Sequence, residues 1–491
     1  MLFDVGGTLV HEASPGRAVT DLVARTRDGA VADLETLAHT YRLGAVTDTA
    51  VMGEEQVRRL LAPSGLDALL EVVVTSADVG VAKPDPRSLR CAMARLGLDP
   101  ATVLYVGDRD LDAAAAAAAG AAFAPVGDGS PGRAVIRWLR ANEGAFAAAR
   151  ALLGVPDRTA EEDARHLHDR LTKPPRSLGD LETLGARLAG IAGRAPPPLP
   201  FPAAVAVFAG DHGVVASGVT PWPQAVTAQM VVNFSRGGAA VNVLARAAGA
   251  SVTVVDVGVA GPVPPAPGLI DRRVRPGTAN LADGPAMTVD DARAAMDVGA
   301  EVAADLVAGG ARALVTGDMG IGNTTPAAAL VAAFTGLPAW RVTGRGTGID
   351  DATLAIKIAV IDRALARGRP DEGPIEVAAR LGGLEHAALC GFVVGGAAAR
   401  VPVLIDGVIA LSAVLTAAAL APRVVPFCIA GHRSTEPGAD AALAHLGLTP
   451  LLQLRMRLGE GSGACLALPL VRAAALVLRE MATFDEAGIG R

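Results

Sequence analysis

From about residue 201 onward the sequence keeps repeating one unit. A short unbroken apolar run stops at Gly, Asp or His, and an alanine-rich helical stretch follows. The runs are "AAVAVFAG", "SVTVVDVGV", "ARALVTG", "VPVLID" and "VVPFCIAG". A strand with one wet face alternates apolar and polar residues, and these do not. Such strands are buried on both faces, so the pattern predicts a parallel sheet with helices on either side. The expected fold class is α/β: a doubly wound, Rossmann-like parallel sheet. Aromatics are only 3% of the chain while Gly and Ala are abundant, which suits close helix-on-sheet packing. In such sheets ligands bind outside the carboxyl ends of the strands. The polar residues that end each run are therefore the candidates for function.

The chain of 491 residues is long enough for several domains. Three segments are expected. Residues 1–130 also alternate strand and helix. Residues 131–200 are helical and charged, ending in the proline run "APPPLPFP", and read as a linker plus a small helical domain. Residues 201–491 form the large α/β domain. A net charge of −6 without a basic stripe argues against nucleic acid as a partner. The four cysteines, Cys91, Cys390, Cys428 and Cys465, have neither zinc nor redox spacing. A reducing, cytoplasmic setting is expected. The opening "MLFDVGGTLV" lacks the basic region of a signal peptide. The apolar run "GVIALSAVLTAAALAP" falls short of the ~20 residues of a spanning helix, so it reads as a buried helix and no membrane association is expected.

In the first segment "FDVGGTL" sets Asp4 after a short strand, and "GAVTDTA" sets Thr47 after another. "VAKPDP" supplies Lys83, and "VGDRDLD" supplies Asp108 and Asp112. Singly, such residues are turn, cap or solvated residues. Four such motifs in this order resemble the haloacid dehalogenase-like hydrolases, over about residues 1–125. The resemblance implies a Rossmannoid α/β domain with Asp4 as nucleophile. Thr47 and Lys83 would hold the transferred phosphoryl group. Asp4, Asp108 and Asp112 would form the Mg²⁺ site, with Asp112 supporting. Two departures stand out. Gly6 keeps the backbone carbonyl of the position two after the nucleophile but lacks its general-acid carboxylate. The short interval between Asp4 and Thr47 leaves no room for a large cap. A working hydrolase and a degenerate domain kept for folding or docking both fit.

In the large segment "VFAGDHGVV" gives Asp211 and His212, with Thr220 and Gln229 further on. "VTGDMGIGNTTP" sets Asp318, Gly320, Gly322, Asn323 and Thr324 before a helix. Lys357 follows "GRGTGIDD". "VLIDG" gives Asp406, "CIAGHRSTEPG" gives His432 and Ser434, and "RLGEGSGA" frames Glu460 with glycines. The glycine-rich turn is not a Walker loop, because no Lys precedes its Thr. It suits either an anion site or a tight turn with a helix cap. No His/Cys/Asp cluster has metal spacing, so no cofactor or metal is expected here.

With "RLTKPPRSLGDLE", "GTAN", "GPAMT" and "GGLEHAALCGFVVGGA", these stretches resemble the nicotinate-nucleotide–dimethylbenzimidazole phosphoribosyltransferases, from about residue 155 to the C-terminus. One departure is Asp318, where that family usually has Glu. The resemblance implies transfer of phosphoribose from nicotinate mononucleotide to 5,6-dimethylbenzimidazole, in assembly of the lower ligand of cobalamin. It also implies a homodimer, with a small helical domain built from both ends of the segment. Glu460 would be the general base. Lys357, Ser434 and the N–H groups of Gly320–Thr324 would hold the 5′-phosphate, with Asp318 near the ribose. Thr220 and Gln229 would line the benzimidazole pocket, and Asp406 and His212 would border the site. A catalytically silent nucleotide sensor with an N-terminal interaction domain, or a different nucleotide transferase on this scaffold, are the alternatives.

Overall fold

A computed structural model describes residues 1–11 and 23–490. The chain divides into two units, Met1–Gly154 and Val155–Arg491.

In the first unit five parallel strands, β1 (Leu2–Phe3), β2 (Gly44–Thr47), β3 (Val72–Thr75), β4 (Leu104–Gly107) and β5 (Ala122–Pro125), lie in the order β3-β2-β1-β4-β5. The chain winds outward from β1 to β3, then returns to lay β4 on the other side of β1. That reversal opens a crevice at the carboxyl ends of β1 and β4. Asp4 and Asp108 directly follow these two strands.

The second unit holds six parallel strands: β6 (Ala203–Gly210), β7 (Ala250–Gly258), β8 (Leu269–Asp271), β9 (Ala313–Met319), β10 (Val403–Ile405) and β11 (Cys428–Ala430). Their order is β11-β10-β9-β6-β7-β8. β6 and β9 pair along their length, for example Val205 with Val315 and Phe208 with Asp318. Both are buried on both faces, which is why they read as unbroken apolar runs. The reversal lies between β6 and β9. Asp211 and the turn after Asp318 therefore come to one crevice. Edge strand β8 is short and largely exposed, and its "LID" gave no apolar run to recognise.

The expected boundary at residue 130 moves to 154. The helices Pro131–Asn142 and Ala145–Leu152 are not a linker, because Val135, Leu139, Ala148 and Ala151 join the core of the first unit. The N–H of Gly132 donates to Asp33 at 2.9 Å, tying the first of them to the helix Ala30–Ala38. Residues 155–200 fold with the second unit. The helices Arg158–Arg170 and Asp180–Ala192 pack Ala160, Ala164, Ala186 and Ala189 against Leu478 of the helix Ser462–Glu480. That last helix is the one described helix long and apolar enough to cross a membrane. Its Cys465, Leu468, Val471 and Ala475 lie in the core with Val205 and Val315. The run beginning after Asp406 forms the buried helix Val408–Leu420.

Candidate active sites

In the second unit three helix N-termini face one cavity. They belong to the helices Thr324–Thr335, Val408–Leu420 and Pro437–Leu446. Gly320, Ile321, Gly322, Asn323 and Thr324 line it from the first, Gly407, Val408 and Ile409 from the second, and Ser434 and Glu436 from the third. Unpaired N–H groups and aligned dipoles at helix starts attract an anion. The glycines are sterically required here. Gly322 has φ +88°, and a Cβ on Gly320 would come within 2.4 Å of the Gly210 carbonyl oxygen.

Lys357 enters this ring from the helix Asp351–Leu365, only 1% exposed. Its Nζ donates to Thr324 Oγ1 at 2.7 Å and to the Gly344 carbonyl at 3.2 Å. Neither partner is an anion. Burial therefore lowers its pKa to about 8, with Glu436 opposing. Glu436 accepts the Gly346 N–H at 2.8 Å and fixes the second glycine-rich loop at the rim. Sequence reasoning missed Glu436, along with the cavity-lining Arg345, Arg457 and His432's place in the wall. The readable signal was Glu436 immediately before Pro437 at a helix start.

Asp318 lines the cavity at the end of β9. Its Oδ2 accepts from Asn323 Nδ2 at 3.0 Å, while Oδ1 is buried without a partner. Burial, then Asp406 and Glu385, push its pKa well above the carboxylate range.

Glu460 occupies the left-handed backbone region at φ +65°, between Gly459 at +82° and Gly461 at +94°. For a non-glycine residue this conformation costs of order 1–3 kcal/mol and persists only where its surroundings enforce it. They do so here. The Glu460 carbonyl packs on Gly317, where a Cβ would approach to 2.6 Å. The residue is 7% exposed, and its carboxylate accepts the Val241 N–H at 3.4 Å. Burial raises its pKa, the Val241 N–H opposes, and Asp406 adds to the rise. Its neighbour Gly459 lines the cavity, whereas Glu460 itself is not among the lining residues.

Three expected residues take other places. Asp406 is buried behind the cavity and does not line it. Its two carboxylate oxygens accept the N–H groups of Gly461 and Ala464, at 3.2 and 2.9 Å. It caps the turn that carries Glu460, a positioning role. Thr220 lines the cavity, but Gln229 does not. Thr227 on the same helix faces inward, its hydroxyl accepting the Ile321 N–H at 3.1 Å. Two residues on, Gln229 faces outward and is exposed. His212 lies behind the glycine turn, its Nε2 2.6 Å from Glu385 Oε1, with His386 Nδ1 2.9 Å from the same oxygen. Burial pushes the Glu385 carboxyl up, but the two histidines more than offset this and hold it below its ordinary range. The expectation of no metal rested on sequence spacing. Folding nonetheless gathers these three, with ligand atoms within 4.8 Å of one another. Asp211 accepts the Ala260 N–H at 2.8 Å.

In the first unit Asp4 is 1% exposed. Lys83 Nζ donates to Asp4 Oδ1 at 2.5 Å, to Asp112 Oδ1 at 2.6 Å and to the Tyr105 hydroxyl at 2.9 Å. Burial raises the Asp4 pKa to about 7, opposed by Lys83. Its Oδ2 has no partner. Asp108 Oδ1 accepts from Thr8 at 3.2 Å, and Gly7 at φ +73° leaves room for that carboxylate. Asp112 Oδ2 accepts the Arg109 N–H at 3.0 Å, so both its oxygens are engaged by the protein. Thr47 is buried at the end of β2, beside Asp48, whose carboxylate accepts the Lys83 N–H. Asp4, Asp108 and Asp112 form a cluster of oxygen donors within 4.8 Å, and with an orphaned Asp4 oxygen it fits a hard divalent cation.

Residues 153–489 match the family described as Phosphoribosyltransferase, and residues 18–126 match Haloacid dehalogenase-like hydrolase, a match that begins after Asp4. The nicotinate-nucleotide–dimethylbenzimidazole phosphoribosyltransferase of Salinispora tropica is 58% identical over 356 residues, spanning 70% of this chain and 98% of the relative. That of Thermus thermophilus is 54% identical over 328 residues, spanning 67% and 97%. A crystal structure of the Thermus thermophilus enzyme superposes with a TM-score of 0.66 at 52% identity, over 68% of this chain and 99% of that one. The chain therefore belongs to the nicotinate-nucleotide–dimethylbenzimidazole phosphoribosyltransferase family and carries, ahead of that enzyme, a haloacid dehalogenase-like domain.

Proposed function

We propose that the second unit transfers the phosphoribosyl group of nicotinate mononucleotide to 5,6-dimethylbenzimidazole, giving α-ribazole 5′-phosphate and nicotinate. The observation that carries this reading is a buried carboxylate, Glu460, held in strained backbone beside a cavity built for an anion. The 5′-phosphate sits among the three helix N-termini, with Lys357 and Ser434. Asp318, which lines the cavity at the end of β9, contacts the ribose. Thr220 borders the pocket of the incoming base.

The benzimidazole nitrogen that attacks carbon 1 of the ribose must shed the proton on its partner nitrogen. Glu460 accepts it as the C–N bond forms. The leaving nicotinate departs from a cationic pyridinium, so its bonding pair neutralises the ring and no acid is needed. Attack from the face opposite the leaving group turns β into α configuration. Apolar walls keep water from the cation-like ribose carbon. The enzyme works as a cytoplasmic homodimer. A silent nucleotide sensor has no use for a strained base. The test is to supply the full chain with both substrates and measure nicotinate and α-ribazole phosphate together. Tight nucleotide binding without either product would favour the sensor.

The first unit is proposed to act on phosphate esters, with α-ribazole 5′-phosphate from the second unit as a slow substrate. Tethering raises the effective concentration of that product. Asp4 is the nucleophile, and Lys83 and Thr47 hold the phosphoryl group. Asp4 and Asp108 would hold a Mg²⁺ ion, which supplies charge neutralisation at the phosphoryl oxygens, while Asp112 fixes Lys83. Phosphate release from α-ribazole phosphate, equal in wild type and Asp4→Asn, would leave this unit a docking role.

A further inference from the structure

We infer that Arg457 selects the leaving base of the donor nucleotide. Its guanidinium receives the carboxylate on the pyridine ring, and so separates nicotinate mononucleotide from its nicotinamide analogue. This rests on the reading of the second unit as a transferase that uses nicotinate mononucleotide, and deepens it.

Two cations line one cavity at two depths. Lys357 is 1% exposed and stands at the buried end, bonded to Thr324. Arg457 lines the same cavity but is exposed, so it stands at the mouth. Nicotinate mononucleotide has the matching layout. Its phosphate on carbon 5′ and the carboxylate on its pyridine ring lie at opposite ends of the molecule. With the phosphate among the helix N-termini, Lys357 and Ser434, the pyridine points to the mouth. That is also the end from which a leaving base reaches solvent.

The guanidinium is held in place before a ligand arrives. The Met456 carbonyl accepts the Thr435 N–H at 3.1 Å, which ties the backbone just before Arg457 to the segment entering the helix Pro437–Leu446. Arg457 Nη1 donates to the Gly346 carbonyl, and the Gly346 N–H donates to Glu436 at 2.8 Å. Both polar groups of Gly346 are engaged, so the anchor of Arg457 is itself fixed. A guanidinium has five donors in a planar fork, and donation through Nη1 leaves the edge formed by Nε and Nη2 for a carboxylate. Arg345, the other arginine of this wall, is committed elsewhere. It pairs with Asp351 and donates to the Ile349 carbonyl at 2.9 Å. A carboxylate offers that fork two acceptors and a full negative charge. A carboxamide offers one acceptor, and its NH₂ opposes the guanidinium N–H groups. The carboxylate leaves with the nicotinate, so the contact is the same before and after the C–N bond breaks. It therefore strengthens binding of the donor nucleotide and leaves the barrier to the chemical step alone.

The test is calorimetry on the full chain, wild type and Arg457→Gln, with nicotinate mononucleotide, nicotinamide mononucleotide and ribose 5-phosphate. Circular dichroism confirms that the variant folds. Wild type should prefer nicotinate mononucleotide to the nicotinamide analogue. In Arg457→Gln the affinity for nicotinate mononucleotide should fall roughly 10- to 150-fold, the contribution of one charge-assisted hydrogen bond. Binding of the other two ligands should hold, so the preference collapses. In turnover the loss should appear in KM for nicotinate mononucleotide more than in kcat. Arg457→Lys keeps the charge without the fork and should fall between the two, which also gives the reading if Arg457→Gln does not fold. If all three ligands weaken together, Arg457 serves the phosphate or the loop, and the inference is overturned. A variant that keeps the full preference overturns it as well. In both cases nicotinate release by wild type leaves the transferase reading standing. A wild type that binds these ligands and releases no nicotinate overturns both.

Discussion

Each unit buries one lysine at the crevice of a parallel sheet, and the two lysines are treated in opposite ways. Lys83 is bound by two carboxylates and a phenol, so its charge is neutralised within the protein. Lys357 meets only a hydroxyl and a carbonyl, with helix N-termini around it, and its pKa falls to about 8. The second site lacks an anion that its substrate brings; the first already contains its anions. The same contrast runs through the reacting protons. Displacing nicotinate requires a base and no acid, and a base is the role proposed for Glu460. Displacing an alkoxide requires an acid, and Gly6 is not one.

The largest expected effect breaks this comparison at its base. Glu460→Gln should keep the fold and nucleotide binding while nicotinate release falls roughly 10²–10⁴-fold. Next comes Lys357→Ala. Removing a charge-assisted contact should weaken nicotinate mononucleotide binding by about 1.5–3 kcal/mol, roughly 10- to 150-fold, by calorimetry. The wild-type affinity itself should fall as pH rises through about 8, because the free enzyme then loses the proton on Lys357. Lys357→Arg, which stays charged, should flatten that fall. The smallest effect is at Asp406. Its charge helps raise the Glu460 pKa, so Asp406→Asn should move the acid limb of the rate profile to lower pH.

Much of this was legible in the sequence, for a physical reason. Buried parallel strands must be apolar on both faces, so β6, β7, β9, β10 and β11 stood out as runs. The residues ending them, among them Asp318 and the Gly320–Thr324 turn, were found by the same rule. What failed to show was direction and distance. Gln229 and Thr227 share one helix, and only the packed structure says which faces in. Asp406 ends a strand like a ligand residue, yet its oxygens turn to a helix start. Glu385 and His212 are 173 positions apart, with no local signal that they pair. The boundary after residue 130 was misplaced because a charged amphipathic helix reads as a linker until its apolar face meets a core.

The account rests on Glu460 as the proton acceptor, and the pH profile of kcat for nicotinate release tests this most directly. Wild type should lose activity on acidification, with a limb above the ordinary carboxylate pKa of about 4.3, since burial raises Glu460. In Glu460→Gln the residual rate should be low and that limb absent. A Gln variant that turns over within a few-fold of wild type and keeps the same acid limb would contradict the account and move the base elsewhere.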